Sequence, residues 1–166
     1  MSETLGCLDE LIQDFVDTTV EVLSTMASLE CSYTGDHQYE EIGADCDVAT
    51  CLDITGILGF SGGRRGSIVV TFTNEIAKSA VGGMLGIEFE EIDSDVRDGV
   101  GELVNMIAGG AKTKLQDKGL DFELSIPNTV MGKNHRITVP AGTCRTRLDF
   151  VTSAGNFFVE VYLKKD

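Results

Sequence analysis

The first 63 residues of this 166-residue chain contain no lysine or arginine. They carry 13 acids, a net of −13, whereas residues 64–166 carry 14 acids against 13 bases, a net of −1. A formal charge of −14 without clustered cations excludes nucleic acid as the partner, because binding a phosphate backbone requires grouped Lys and Arg. There is no cationic leader running into an apolar stretch, and the acid-rich Glu3 to Asp17 region has the wrong chemistry for a signal peptide. No apolar run approaches the roughly 18 residues needed to span a bilayer. These absences lead us to expect a soluble cytoplasmic protein. A Cys-x-x-Cys pair is missing too. Cys7, Cys31, Cys46, Cys51 and Cys144 are odd in number and fit neither a disulfide framework nor a zinc knuckle. Cys46 and Cys51 with His37 could be drawn as a metal site, but their spacing is nonstandard. No metal or other cofactor is therefore expected in this chain.

What is present suits a globular core. Apolar residues make up 42% of the chain, and its length is near the roughly 150 residues of one domain, so a single domain over 1–166 is expected. Leu8, Leu11, Ile12, Phe15, Val22, Leu23 and Met26 share one side of a helix from Glu3 to about Leu29, with Asp14, Asp17, Glu21, Ser24 and Ser28 opposite. Residues 30–50 read as short strands and loops. Ile54–Phe60 and Ser67–Thr73 form a hairpin across Ser61–Gly66. Asn74 is placed to cap a helix from Glu75 to about Leu85, ended by Gly86. A second long helix starts at Asp93 or Ser94 and ends near Leu115–Lys118. Strands follow at Leu120–Ile126, Thr129–Met131, Arg136–Val139, Cys144–Thr152 and Asn156–Lys164, with Gly132-Lys133-Asn134 as a turn.

The two long helices repeat each other at an offset of 81. Asp17, Glu21, Ser24 and Ala27 lie beside Asp98, Glu102, Asn105 and Ala108, and each helix is followed by a hairpin. This predicts an α+β fold with a pseudo-twofold repeat, a mainly antiparallel sheet and the long helices packed on one face.

On the second helix Asp98, Glu102, Asn105, Gly109 and Lys112 fall within about 40° of a common line. Val100, Leu103, Val104, Ile107 and Ala111 fall opposite. A solvated surface face would explain the polar stripe, but not Gly99, Gly101, Gly109 and Gly110, each costing roughly 1 kcal/mol against alanine in a helix. Such glycines suit close approach by another backbone. Gly109 lies on the stripe itself and so points to a docking partner, whereas for Gly99 and Gly101 internal packing is equally open.

Asp98-x-x-x-Glu102-x-x-Asn105, with Gly109 and the later Pro127, resembles the signature of the CheC, CheX and FliY group of chemotaxis phosphatases. The resemblance extends over nearly the whole chain. CheC-like members carry Glu-x-x-Asn in both repeats; here Ser24 replaces the first Asn, which is similar to the CheX type. The resemblance implies hydrolysis of the aspartyl phosphate on a CheY-like response regulator, with Asn105 positioning water and Glu102 docking to the regulator. It also implies partner contacts from Asp98, Gly109 and Lys112, a divalent metal in the regulator's own acidic pocket, and a homodimer joined through strand edges. The alternative is a noncatalytic adaptor or flagellar-switch component that binds the regulator.

Other patterns are weaker. Gly109-Gly110-Ala111-Lys112-Thr113 lacks phosphate-loop spacing and lies within a helix. Gly62-Gly63-Arg64-Arg65 reads as a hairpin turn with solvated arginines more simply than as an anion cradle. His37 and His135 have no Ser or Cys partner at a recognisable spacing. For Ser24, a hydroxyl bonded to its own helix backbone is the expectation.

Overall fold

The structure is a computed structural model that describes residues 2–49, 52–133 and 135–164, and of these the side chains of all but 2–10, 36–39, 48 and 49. Helix α1 (Ser2–Met26) leads into β1 (Cys31–Ile42) and β2 (Cys46–Ala49). The hairpin β3 (Ile54–Gly62) and β4 (Gly66–Phe72) precedes α2 (Asn74–Leu85) and α3 (Ser94–Gln116). Strands β5 (Phe122–Leu124), β6 (Asn128–Met131) and β7 (Arg136–Val139) then lead to the hairpin β8 (Thr143–Thr152) and β9 (Gly155–Lys164). The acidic 30–50 stretch contains a 12-residue strand where only short ones were expected. Pairing along β8 imposes extended structure on a segment whose composition gives little sign of it.

All ladders are antiparallel, in the order β1-β8-β9-β4-β3-β5, with β6 also pairing β3. The expected pseudo-twofold lies between β4 and β9. On each side of that pair comes the other strand of its hairpin, and beyond it the strand donated by the opposite half. Helices cover one face. Ile54, Leu58, Ile68, Val70, Phe150 and Val159 turn towards them and are essentially inaccessible.

The other face is covered as well. The β2–β7 ribbon brings Val139 and Ile137 onto Val69, Tyr162 and Ile57, which explains why β9 is buried from Phe157 to Leu163 without alternation. Beneath this cover Glu160 is fully buried. It accepts from Arg145 Nε and, at 2.9 Å, from the Tyr162 hydroxyl, while Arg145 also donates to Glu40 at 3.2 Å. Burial first, and then the charge of Glu160, push the Tyr162 phenol well above its ordinary value. Burial alone would lower the Arg145 value, but Glu160 outweighs it and the net shift is upward.

Two helix details differ from expectation. Thr73, not Asn74, caps α2: the Thr73 hydroxyl accepts from Ile76 N at 3.2 Å, and the Asn74 amide is taken by Asp53 at 2.9 Å. In α1, Asp14 is buried and Met26 is 49% exposed, the reverse of their assigned sides. Asp14 can be buried because Lys118, just beyond the end of α3, pairs with it at 2.8 Å. Of the Cys46, Cys51 and His37 grouping, Cys51 and the His37 side chain lie outside the described residues, as does Asn134 of the expected turn. No helix among the described residues is long and apolar enough to cross a membrane.

Arg145→Met should destabilise the fold by about 3–5 kcal/mol in urea denaturation, because it strands a buried carboxylate; Arg145→Met combined with Glu160→Met should recover most of the loss. Gly83→Ala should also cost about 1–3 kcal/mol although alanine is the better helix former. Its Cβ would fall 1.7 Å from the Ala27 carbonyl oxygen, a backbone atom that cannot turn aside.

Candidate functional site

Helix α3 begins at Asp93, whose carboxylate accepts from Val96 N at 3.0 Å, and carries Asp95 in its first turn, where the helix dipole favours an anion. Its apolar side from Val96 through Leu115 is buried against the sheet and the other helices. Close contacts fix the rotation of α3 about its axis. A Cβ on Gly99 would meet Val81 of α2 at 2.5 Å, one on Gly110 would meet Thr18 of α1 at 2.6 Å, and one on Gly56 of β3 would meet Val104 at 2.4 Å. This settles the case of Gly99 in favour of internal packing.

With that side committed, Asp98, Glu102 and Asn105 are exposed, and Gly109 and Lys112 continue the line half-buried. The expected stripe is therefore one continuous face. None of the Asp98, Glu102, Asn105 and Lys112 side chains has a hydrogen bond or ion pair among the described residues. Gly109 differs from its neighbours, since nothing lies within 4 Å of the position a Cβ would take. Lys112 lines an apolar crevice together with Phe60, Ala108 and Phe122.

A groove runs along the N-terminal half of the stripe. Arg97, Asp98 and Glu102 form one wall, Gly101 the floor, and Pro127, Asn128 and Thr129 the other wall. A Cβ on Gly101 would stand 3.5 Å from Thr129 Oγ1 and 3.9 Å from Pro127 Cγ, and Thr129 donates to the Arg97 carbonyl at 3.3 Å. On the wall formed by residues 127–129 only Pro127 carried a signal in the sequence. Nothing in the periodicity of residues 127–129 shows that the strand after the break returns to α3.

The equivalent stripe on α1 is occupied. Glu21 pairs with Lys114 at 3.5 Å, and Ser24 donates to Glu30 at 2.8 Å, not to its own helix as expected. The first 63 residues contain no base to pair with the acids of α1. Lys114 of α3 and Lys118, just beyond its end, supply two.

The remaining sequence candidates lie elsewhere. His135 Nδ1 donates to the Gly132 carbonyl at 2.6 Å, and its Nε2 stands 2.6 Å from the Thr55 hydroxyl. Thr55 is fully buried beside Thr71, so the pair cannot present a nucleophile to a substrate. Arg64 is half-buried and only Arg65 is exposed, so the hairpin turn is less solvated than expected. Burial, with Glu30 adding to it, pushes the Cys31 thiol up to about 11 and makes it a poor nucleophile. Among the described residues no group of three or more His, Cys, Asp or Glu is placed to hold a metal.

The available chemistry is therefore that of a carboxylate and a carboxamide one turn apart on a rigid, open helix face. The carboxamide can donate to and accept from a single water, and the carboxylate can receive a cation.

Comparison with known proteins gives the same region weight. A family model described as chemotaxis phosphatase CheX matches residues 54–151, which include Asp98, Glu102, Asn105 and Pro127. The CheY-P phosphatase CheX of Thermotoga maritima is 33% identical over 82 residues, 49% of this chain and 53% of that protein. The chain thus matches about half the length of this curated relative. A crystal structure of chemotaxis protein CheX from Desulfovibrio desulfuricans is 34% identical with a TM-score of 0.81, over 93% of this chain and 99% of that one. The fold is also that of CheX in a CheX–CheY–BeF3–Mg2+ complex from Borrelia burgdorferi, 22% identical with a TM-score of 0.72 over 93% of this chain and 98% of that one. A family match over residues 54–151, on a sheet and helices shared nearly end to end with a CheX crystal structure, means that this chain belongs to the CheX family of chemotaxis phosphatases.

Proposed function

We propose that this chain removes the phosphoryl group from the phosphorylated aspartate of a CheY-like response regulator, with Asn105 and Glu102 as the working pair. The observation that carries the reading is the unpaired state of both side chains on an exposed face of a helix that is otherwise tightly held. The relative from Thermotoga maritima that bears the name CheY-P phosphatase supports it.

In the proposed reaction the regulator brings its acyl phosphate and the divalent metal of its own acidic pocket to the α3 stripe. Phosphoryl transfer to water needs an in-line nucleophile and charge stabilisation more than covalent work by the protein. The Asn105 amide accepts a hydrogen bond from the attacking water and orients its lone pair towards phosphorus. The new water–phosphorus bond forms as the bond to the aspartyl oxygen breaks. The regulator regains its carboxylate, and inorganic phosphate leaves. Glu102 would be repelled by the phosphate unless paired, so it docks to a cation on the regulator. Asp98, Gly109 and Lys112 extend the contact surface. The chain acts as one domain in the cytoplasm, where it meets the regulator, and as a homodimer joined along sheet edges, β1 being the outermost strand at its end of the sheet.

The test is the decay of a phosphorylated CheY-like regulator with and without the protein. Asn105→Ala should abolish the acceleration with thermal unfolding unchanged, and Glu102→Ala should raise KM for the regulator by about tenfold or more. Binding without acceleration by the wild type would replace this reading with that of an adaptor. Gly109→Ala should raise stability by up to about 1 kcal/mol, since no atom opposes the new methyl group, while lowering activity by crowding the docking face. Denaturant titration and the decay assay on one preparation check both halves.

A further inference from the structure

The edge strand beside the groove carries an extra residue. Between the pairs Phe60–Leu124 and Ile57–Asn128, Ser125, Ile126 and Pro127 stand opposite Leu58 and Gly59. This is a β-bulge, a device that re-aims a side chain where regular pairing would not. It is fastened on every side. Ser125 N donates to the Gly59 carbonyl at 2.8 Å, and Ser125 Oγ accepts from Gly59 N at 2.9 Å. Pro127 fixes its own φ beside Gly101, and Thr129 ties the strand to α3 through the Arg97 carbonyl.

The fastened corner displays an isoleucine. Ile126 is 84% exposed, well beyond Leu85 at 54%, the next large apolar side chain among the described residues. Single exposed apolar residues are ordinary on protein surfaces. Two things set Ile126 apart. Its backbone is held between the Ser125–Gly59 and Thr129–Arg97 hydrogen bonds, so a partner would meet it at a reduced ordering cost. Its chain neighbour Pro127 lines the groove with Asp98 and Glu102, so Ile126 stands at the next position along the chain from a residue of the groove. Arg97, unpaired in the same groove, adds a cation suited to the rim of an acidic phosphorylation pocket.

We propose that the Ser125–Pro127 bulge is a docking arm for the response regulator, with Ile126 seated against an apolar patch next to the phosphorylation pocket. This rests on the function proposed above. The arm sets affinity and takes no part in the chemistry, because the side chain it exposes is hydrocarbon.

The experiment uses the full chain and a CheY-like regulator in two forms, phosphorylated for decay kinetics and loaded with beryllofluoride and Mg2+ for calorimetric binding. Ile126→Ala should raise KM and Kd together by about tenfold, and Ile126→Asp by more, with kcat at saturating regulator unchanged. Thermal unfolding should not fall, since the side chain is already in water. Wild-type KM and Kd in both variants, alongside an inactive Asn105→Ala, would overturn the arm and leave the phosphatase standing. Weakened binding by Ile126→Asp to a regulator whose decay the wild type does not accelerate would support the arm and remove the phosphatase. A wild type that binds no such regulator would overturn both. A change of oligomeric state in Ile126→Asp at constant Kd would assign the corner to a second copy of the chain and overturn the proposal.

Discussion

Close approach along α3 is the constraint on which the rest of the molecule depends. Val81 of α2 fills the space left by Gly99, Thr18 of α1 the space left by Gly110, and Val104 the space over Gly56 of the sheet. A single methyl group at any of the three would force its neighbours apart. The helix is consequently held on several sides with little freedom to rotate or slide, as expected of an interior packed to the density of an organic crystal. A glycine in a helix interior weakens the helix locally, yet these contacts over-determine its position. The residue pointing away from them, Asn105, inherits that rigidity without making any bond of its own.

Charge is arranged by the same packing. The sequence assigns nearly all of the net −14 to its first 63 residues, which suggests one repulsive helix and one receptive helix. In the folded chain the C-terminal half of α3 lies along α1, and Lys114 and Lys118 pair with Glu21 and Asp14. The pair at Asp14 matters more, because that carboxylate is buried and would be costly alone, whereas the Glu21 pair is largely exposed and worth little by itself. Part of the apparent acidity is thus spent internally. The stripe from Asp98 to Asn105 lies towards the other end of α3, away from those lysines, and keeps its side chains unpaired.

The sequence was most legible where a residue had one dominant environment. The buried side of α3, the hairpins β3–β4 and β8–β9 and the turn at Gly86 all follow from periodicity and turn chemistry. Legibility failed where a distant strand decides the outcome. β1 is extended because β8 pairs with it, β9 lacks alternation because a ribbon covers its second face, and Asp14 can be buried because of a lysine 104 positions away. The stripe could be read from spacing alone, but the groove beside it could not, since only folding brings Pro127 and Thr129 back to Gly101. The spare space at Gly109 and the crowding at Gly110 were likewise indistinguishable until the neighbours of each were placed.

The pseudo-twofold sharpens the question of why one helix would act and the other not. Glu21 and Ser24 occupy on α1 the places that Glu102 and Asn105 occupy on α3, so symmetry of the backbone offers both faces equally. Partnering does not. A serine hydroxyl in place of the carboxamide still donates and accepts, but from one atom close to the helix, without the reach and the separate donor and acceptor atoms of asparagine. The shorter hydroxyl turns instead to Glu30, and Glu21 turns to Lys114. A carboxylate already holding a cation of its own chain has less to offer a cation on a partner. Under the proposed reaction, then, the difference between the two halves lies in which side chains the fold leaves without an internal partner. That property comes from long-range packing and is absent from the local motif.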